Sequence, residues 1–282
     1  MTTLGPTLDP TLVGPPPPPA GMLPPPPPPA HHGRGLGWVV LGSALALVIV
    51  AWGTWSTVSL LGRRVRTERT VIERPLQVLD IRTDGTIRVS VGAEGRFVIS
   101  ERIERSVVAP ERTQEVRNGV LYLRASCAAI SNFCSVGYDV QVPPGTDLRL
   151  RSHGDDVRIE GVDGAIEARS SGGPVTVIGG RGPLRLDSSG GDVTVADGRS
   201  TDIEATSAGG GVSIDLDAAP TRIDATSWAG DVTVQLPRTE SSFAVDASSS
   251  GGSSDVQVRT DPAAPRRIRA HSSGGDVSVR YR

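Results

Sequence analysis

Four histidines, two cysteines and an aspartate recurring after paired glycines are the residues of this 282-residue chain whose types could support chemistry. His31 and His32 lie beside an apolar run, and His153 and His271 fall in turns far apart in sequence, so they form no ligand cluster. Cys127 and Cys134 have six residues between them, in the loop-like stretch Ala-Ala-Ile-Ser-Asn-Phe. A lone pair of thiols is not a zinc site, which wants four ligands. So close together in a loop, they read as a disulfide, a bond that persists outside the cytosol. Closing so small a loop stabilises a fold by about 2–3 kcal/mol. Asp156, Asp192, Asp231 and Asp276 follow turn glycines and invite comparison with calcium-binding β-rolls. The third glycine and correctly spaced aspartate of that motif are missing from every copy. Serine is abundant without a nucleophile-elbow motif. Carboxylates stacked across coils could mimic a glycosidase pair, but ten aromatic residues supply a sugar-binding groove poorly. Trp228 is the exception: it fills the variable slot of the turn Ser227-Trp-Ala-Gly, either shielding a coil edge or touching a partner. The reading is therefore of no catalytic, cofactor-binding or metal residues, no cofactor and no small-molecule substrate.

The elements that would position these residues are repeats. A Ser-Gly turn followed by alternating valines returns seven times, with the first valine at 157, 175, 193, 212, 232, 256 and 277. The steps of 18, 18, 19, 20, 24 and 21 residues mark a stacked architecture in which each unit needs its neighbours. The unit is apolar-x-apolar-x-Ser-x-Gly-Gly-x-Val-x-Val, two period-two runs flanking one tight turn. Leu148/Leu150 and Val157/Ile159 open the series; Ile268/Ala270 and Val277/Val279 close it. Glycine at the reversal suits positive φ, the serine hydroxyl suits a turn amide and the aspartate an Asx turn. Outward positions carry Arg149, Glu167, Arg185, Glu204, Asp224, Asp246 and Arg269, of which the first four alternate in sign. The 24-residue step predicts a bulging loop, and the terminal Arg280-Tyr-Arg282 reads as charge guarding an open edge. Residues 70–142 read as the irregular opening of the same solenoid, with the Cys loop as ornament or cap.

Residues 1–34 carry proline runs at 15–19 and 24–29 and read as a disordered tail. Residues 35–62 contain no charge and read as one transmembrane helix, with Trp38, Trp52 and Trp55 toward its ends. Residues 63–75 read as a juxtamembrane linker and 76–282 as the β-solenoid. Orientation is contested. Arg34 precedes the span while Arg63, Arg64, Arg66, Arg69 and Arg74 follow it, which places the C-terminal region in the cytoplasm; the Cys pair places it outside. All 29 basic residues are arginine and the net charge of −2 is spread without a basic stripe, so nucleic acid is not an expected partner.

The anchor, the Cys loop followed by Tyr138-Asp-Val-Gln-Val-Pro-Pro-Gly-Thr, and the serial Ser-Ser-Gly-Gly-Asp-Val-Thr-Val together resemble a bacterial putative-adhesin domain-of-unknown-function family over residues 76–279. That resemblance implies an all-β solenoid outside the cytoplasmic membrane with the proline tail inside, and it carries no functional residues. With the Cys pair it outweighs the arginine count. The expectation is a non-enzymatic single-pass protein of the cell membrane, anchored in the bilayer by residues 35–62, presenting a solenoid for adhesion, envelope interaction or accessory signalling. The alternative is a cytoplasmic, bactofilin-like scaffold that polymerises end to end, and the remote one a carbohydrate-active β-helix enzyme.

Overall fold

The computed structural model describes residues 35–61, 64–105, 108–128 and 134–282, and within its helix the side chains of residues 41–54. The proline-rich tail read over 1–34 lies outside the described residues. The helix α1 spans Gly35–Leu61. Its apolar side chains, including Leu41, Leu45, Leu47, Val48, Ile49, Val50 and Trp52, are exposed. Among the described residues no helix is long and apolar enough to cross a membrane.

Alternation of apolar and polar residues makes strands wherever it appears. In the repeat region each coil contributes two: β8 (Asp147–Ser152) and β9 (Val157–Glu160), β10 (Ile166–Ser170) and β11 (Val175–Ile178), β12 (Leu184–Ser188) and β13 (Val193–Gly198). The series continues with β14 (Asp202–Ser207) and β15 (Val212–Leu216), then β16 (Arg222–Ser227) and β17 (Val232–Leu236). Like residues stack on like: Ile166 pairs with Leu148 and Leu184, and Val175 with Val157 and Val193, all parallel. The apolar residues of both runs are buried through these coils. Each Val, Leu or Ile so buried contributes about 1.5–3 kcal/mol, which is what holds so thin a cross-section together.

The ends of the stack depart from sequence order. The sixth repeat, β18 (Ala244–Ser249) and β19 (Ser254–Gln257), does not follow β16 and β17. Instead the last repeat, β20 (Arg267–Ser272) and β21 (Val277–Tyr281), inserts between them, pairing with β16 and β17 on one side and with β18 and β19 on the other. The long 24-residue step has this cause: residues 237–243 carry the chain past a layer that arrives later. Charge favours the insertion. Sequence order would stack Asp224 on Asp246; the observed order puts Arg269 between them, 3.4 Å from Asp224 and 3.8 Å from Asp246. Each such exposed pair is worth about 0.2–1 kcal/mol. Arg269→Glu is expected to cost about 1 kcal/mol and to raise amide exchange in β18 while β10–β13 stay unchanged; unaltered protection of β18 would show that charge plays no part in the order.

Register in the displaced coil also differs from the repeat alignment. Ser254, not Val256, sits beside Val277, and Val256 sits beside Val279. The two extra residues are absorbed into β19, so a serine occupies an inward position that valine fills elsewhere. The terminal arginines guard no edge, because β21 is an interior strand. Arg282 instead turns back to Asp197, at 3.1 Å, and to Asp215 and Asp217.

The other end is built in the same displaced manner and then closed. β2 (Val78–Thr83) and β3 (Ile87–Val91) stack directly on β8 and β9, while β6 (Val120–Ser126) and β7 (Ser135–Val142) lie outside them. Three antiparallel strands follow: β4 (Phe97–Arg105) on β7, β1 (Arg64–Ile72) on β4, and β5 (Glu111–Arg117) on β6. Residues 64–72, read from sequence as linker, are therefore strand. Arg112 of β5 reaches across to Glu68 of β1 at 2.9 Å and Glu101 of β4 at 2.8 Å, tying the two sheets together over buried Phe97, Ile99 and Tyr138. Among the described residues the result is a sheet of 11 strands facing one of 10.

Candidate interaction surface

The turns form one continuous seam, and its hydrogen bonds run between coils as well as within them. Ser207 Oγ accepts from Gly210 N–H at 2.9 Å and donates to Gly191 C=O of the preceding coil at 2.9 Å. Ser170, Ser188 and Ser227 repeat both bonds. Ser272 and Ser249 do so in spatial order: Ser272 donates to Gly230, and Ser249 to Gly275 of the inserted coil. The local bond was foreseeable from sequence; the bond to the neighbouring coil was not, because it requires knowing which coil is adjacent. Aspartates in the seam also act between coils rather than as Asx turns. Asp192 Oδ1 accepts from Gly211 N–H, Asp231 Oδ1 from Asp276 N–H, and Asp276 Oδ1 from Ser253 N–H, at 2.8, 2.8 and 2.7 Å. The backbone amide and hydroxyl of Ser253 hold the Asp276 carboxyl below its ordinary range.

The paired glycines serve stacking, not handedness. None of Gly172, Gly173, Gly190, Gly191, Gly274 or Gly275 has positive φ. A Cβ on Gly191 would instead lie 2.5 Å from Pro174 N and 2.6 Å from Gly173 C in the coil beneath. The seam is thus close-packed backbone whose buried serine hydroxyls are occupied, a surface suited to contact. Trp228 stands out on it, 66% exposed. Its main-chain N–H donates to Ser207 C=O like its small-residue counterparts in other coils. It is the exposed aromatic side chain among the described solenoid residues.

Cys127 and Cys134 are joined as a disulfide, with Cα atoms 5.9 Å apart, linking the end of β6 in one sheet to the start of β7 in the other. Asp84 accepts from Cys127 N–H at 2.9 Å and lies 3.5 Å from His153. Replacing both cysteines with serine is expected to lower stability by about 2–3 kcal/mol, read as a fall in urea midpoint; an unchanged midpoint would mean the strands alone hold this corner. A recess of about 530 Å³ lies by β3, β4 and β7 and is lined in part by Arg88, Arg102, Tyr138, Asp139 and Asp155. Burial, with Asp156 and Glu104 nearby, raises the Asp155 carboxyl, and burial raises Tyr138. Acids and bases are interleaved there. Among the described residues no group of three or more His, Cys, Asp or Glu is placed to hold a metal ion.

Residues 145–280 match the Toastrack DUF4097 family. No curated protein matches the chain. Among solved structures it is similar to a putative adhesin from Bacteroides fragilis, with 17% identity, a TM-score of 0.44 and coverage of 78% of this chain and 97% of that one. It is also similar to a putative cell adhesion protein from Clostridium sporogenes (10% identity, TM-score 0.34, 78% and 100% covered) and a putative adhesin from Parabacteroides distasonis (9%, 0.40, 76% and 97%). Neither the family description nor these names states an enzymatic activity. The match over segment 145–280, just under half of the chain, supports the resemblance of its Ser-Gly-Gly repeat to a bacterial putative-adhesin domain-of-unknown-function family.

Proposed function

We propose that the solenoid is a non-enzymatic, adhesion-type binding domain displayed outside the cytoplasmic membrane and attached to it through α1. The observation that carries this reading is the Cys127–Cys134 bond, since such a bond persists in oxidising compartments. The uncharged stretch 35–62 and the exposed apolar side chains of α1 support burial of the helix in lipid. The seam supports contact rather than catalysis: its buried serine hydroxyls and the carboxylates of Asp192, Asp231 and Asp276 are engaged in backbone hydrogen bonds, which makes it rigid, and Trp228 offers a large apolar contact on that rigid ground. The partner is a component of the envelope or of an opposing surface.

Topology tests the proposal. A reporter active only in the cytoplasm, fused after Arg282, is expected to stay silent, and Cys127 and Cys134 to resist alkylation in intact cells until reduced. A cytoplasmic signal with free thiols would instead favour the internal scaffold, a reading supported by the five arginines at 63, 64, 66, 69 and 74.

A further inference from the structure

We infer that the solenoid carries a self-association site at the end formed by β18 and β19, where two copies of this chain join end to end as a closed, two-fold dimer. The two ends of the stack differ. At the β1/β4/β5 end antiparallel strands and the Arg112 ion pairs cover the core. At the other end both sheets simply stop: β18 is the last strand of one and β19 of the other. Thr260 pairs with Phe243 just before β18, and nothing pairs with the outer edge of β18 or β19 among the described residues.

This edge is lightly protected, by Asp246, Asp255, the shortness of β19 and the loop through Thr260 and Pro262 at one corner. β18 and β19 contain no arginine, lysine or proline, the residues that blunt natural edges. Positions that are buried in the interior coils are open here. Val245 and Ala247 are half-buried and Val256 is 37% exposed; together they help line a groove of about 770 Å³.

The occupant follows from the presence of two edges at once. A single donated strand would complete one sheet and leave the other open. A second copy presents two edges with the same separation, so both sheets continue across the junction. The edges at its other end, β1 and β5, carry arginines and are tied across the sheets by Arg112, which blunts them, so open end meets open end and gives a closed pair rather than a filament. The registers allow it. Ala247 aligns with Ala270, and Val256 with Val279, so both residues sit at the same level of their coil. A two-fold axis through that level pairs each strand antiparallel with its copy. Ala247 then meets Ala247 and Val256 meets Val256 on the inner side. Outside, Asp246 falls opposite Ser248 and Asp255 opposite Gln257, so carboxylates face hydrogen-bond donors and no like charges meet directly.

Cross-linking the full-length chain in detergent micelles tests this. A Val256→Cys variant, oxidised and run without reductant, is expected to give a covalent dimer, because directly opposed antiparallel residues lie within disulfide reach. Thr176→Cys, on the outer face of β11, is expected to give none. In sedimentation the unmodified chain is expected to be dimeric, and Val256→Arg to weaken association on the order of a hundredfold by burying unpaired charge, with its far-UV spectrum unchanged. A monomeric unmodified chain, equal cross-linking at both positions, or a dimer indifferent to Val256→Arg would overturn the assignment; the first would leave the edge to a strand from another protein.

Discussion

Gly191→Ala is expected to destabilise the solenoid by about 3 kcal/mol, the upper range for forcing extra atoms into a packed interior. The added methyl would sit 2.5 Å from Pro174 N and 2.6 Å from Gly173 C. Both are backbone atoms and cannot rotate away. Relief would require the coils to separate, which disturbs the flanking Ser188 and Ser207 bonds to this turn. The informative control is Gly119→Ala. Gly119 has φ of 76° but open space where its Cβ would point, so its cost is the left-handed backbone alone, about 1 kcal/mol. Urea unfolding of the two variants separates crowding from handedness. If Gly191→Ala costs no more than Gly119→Ala, the close-stacking account of the paired glycines is wrong.

Ser207→Ala is expected to cost about 2–3 kcal/mol, because it strands a donor and an acceptor together. The residue is fully buried. Its removal leaves Gly210 N–H and Gly191 C=O without their side-chain partner, and the cavity is too small for a water to replace both bonds. The same substitution at Ser249, in the half-exposed terminal coil, is expected to cost about 1 kcal/mol, since solvent can reach the released groups. At exposed Ser171 it is expected to stay within about 0.5 kcal/mol. Equal losses at Ser207 and Ser171 would show that the inter-coil bond contributes nothing, leaving the serine as a mere turn former.

The strands of the repeat region were legible because their signal is local. Leu184-x-Leu186 and Val193-x-Val195 announce an inward face through period-two alternation alone, and both pairs are buried. The disulfide was legible for a similar reason, since its two cysteines are near neighbours in the chain. β5 was not: Glu111–Arg117 reads almost wholly polar, and it becomes a strand only because β6 offers an unpaired edge. The register of the displaced coil was misread at Val256, because matching valine to valine is sound only while every coil keeps the same turn length. Trp228 could be singled out by its oddity in a small-residue slot, but its exposure is a property of the stack.

Period, inward face, turn chemistry and the cysteine pairing are thus written in residues a few positions apart, and alternating polarity suffices to state them. Which coil lies against which was settled only in three dimensions. Arg269 comes after Asp246 in the chain yet lies between Asp224 and Asp246 in space, because stacked strands select neighbours by edge and charge rather than by chain order. The reason for the paired glycines, the closed end under Arg112 and the open end at Val256 all follow from that choice of neighbours.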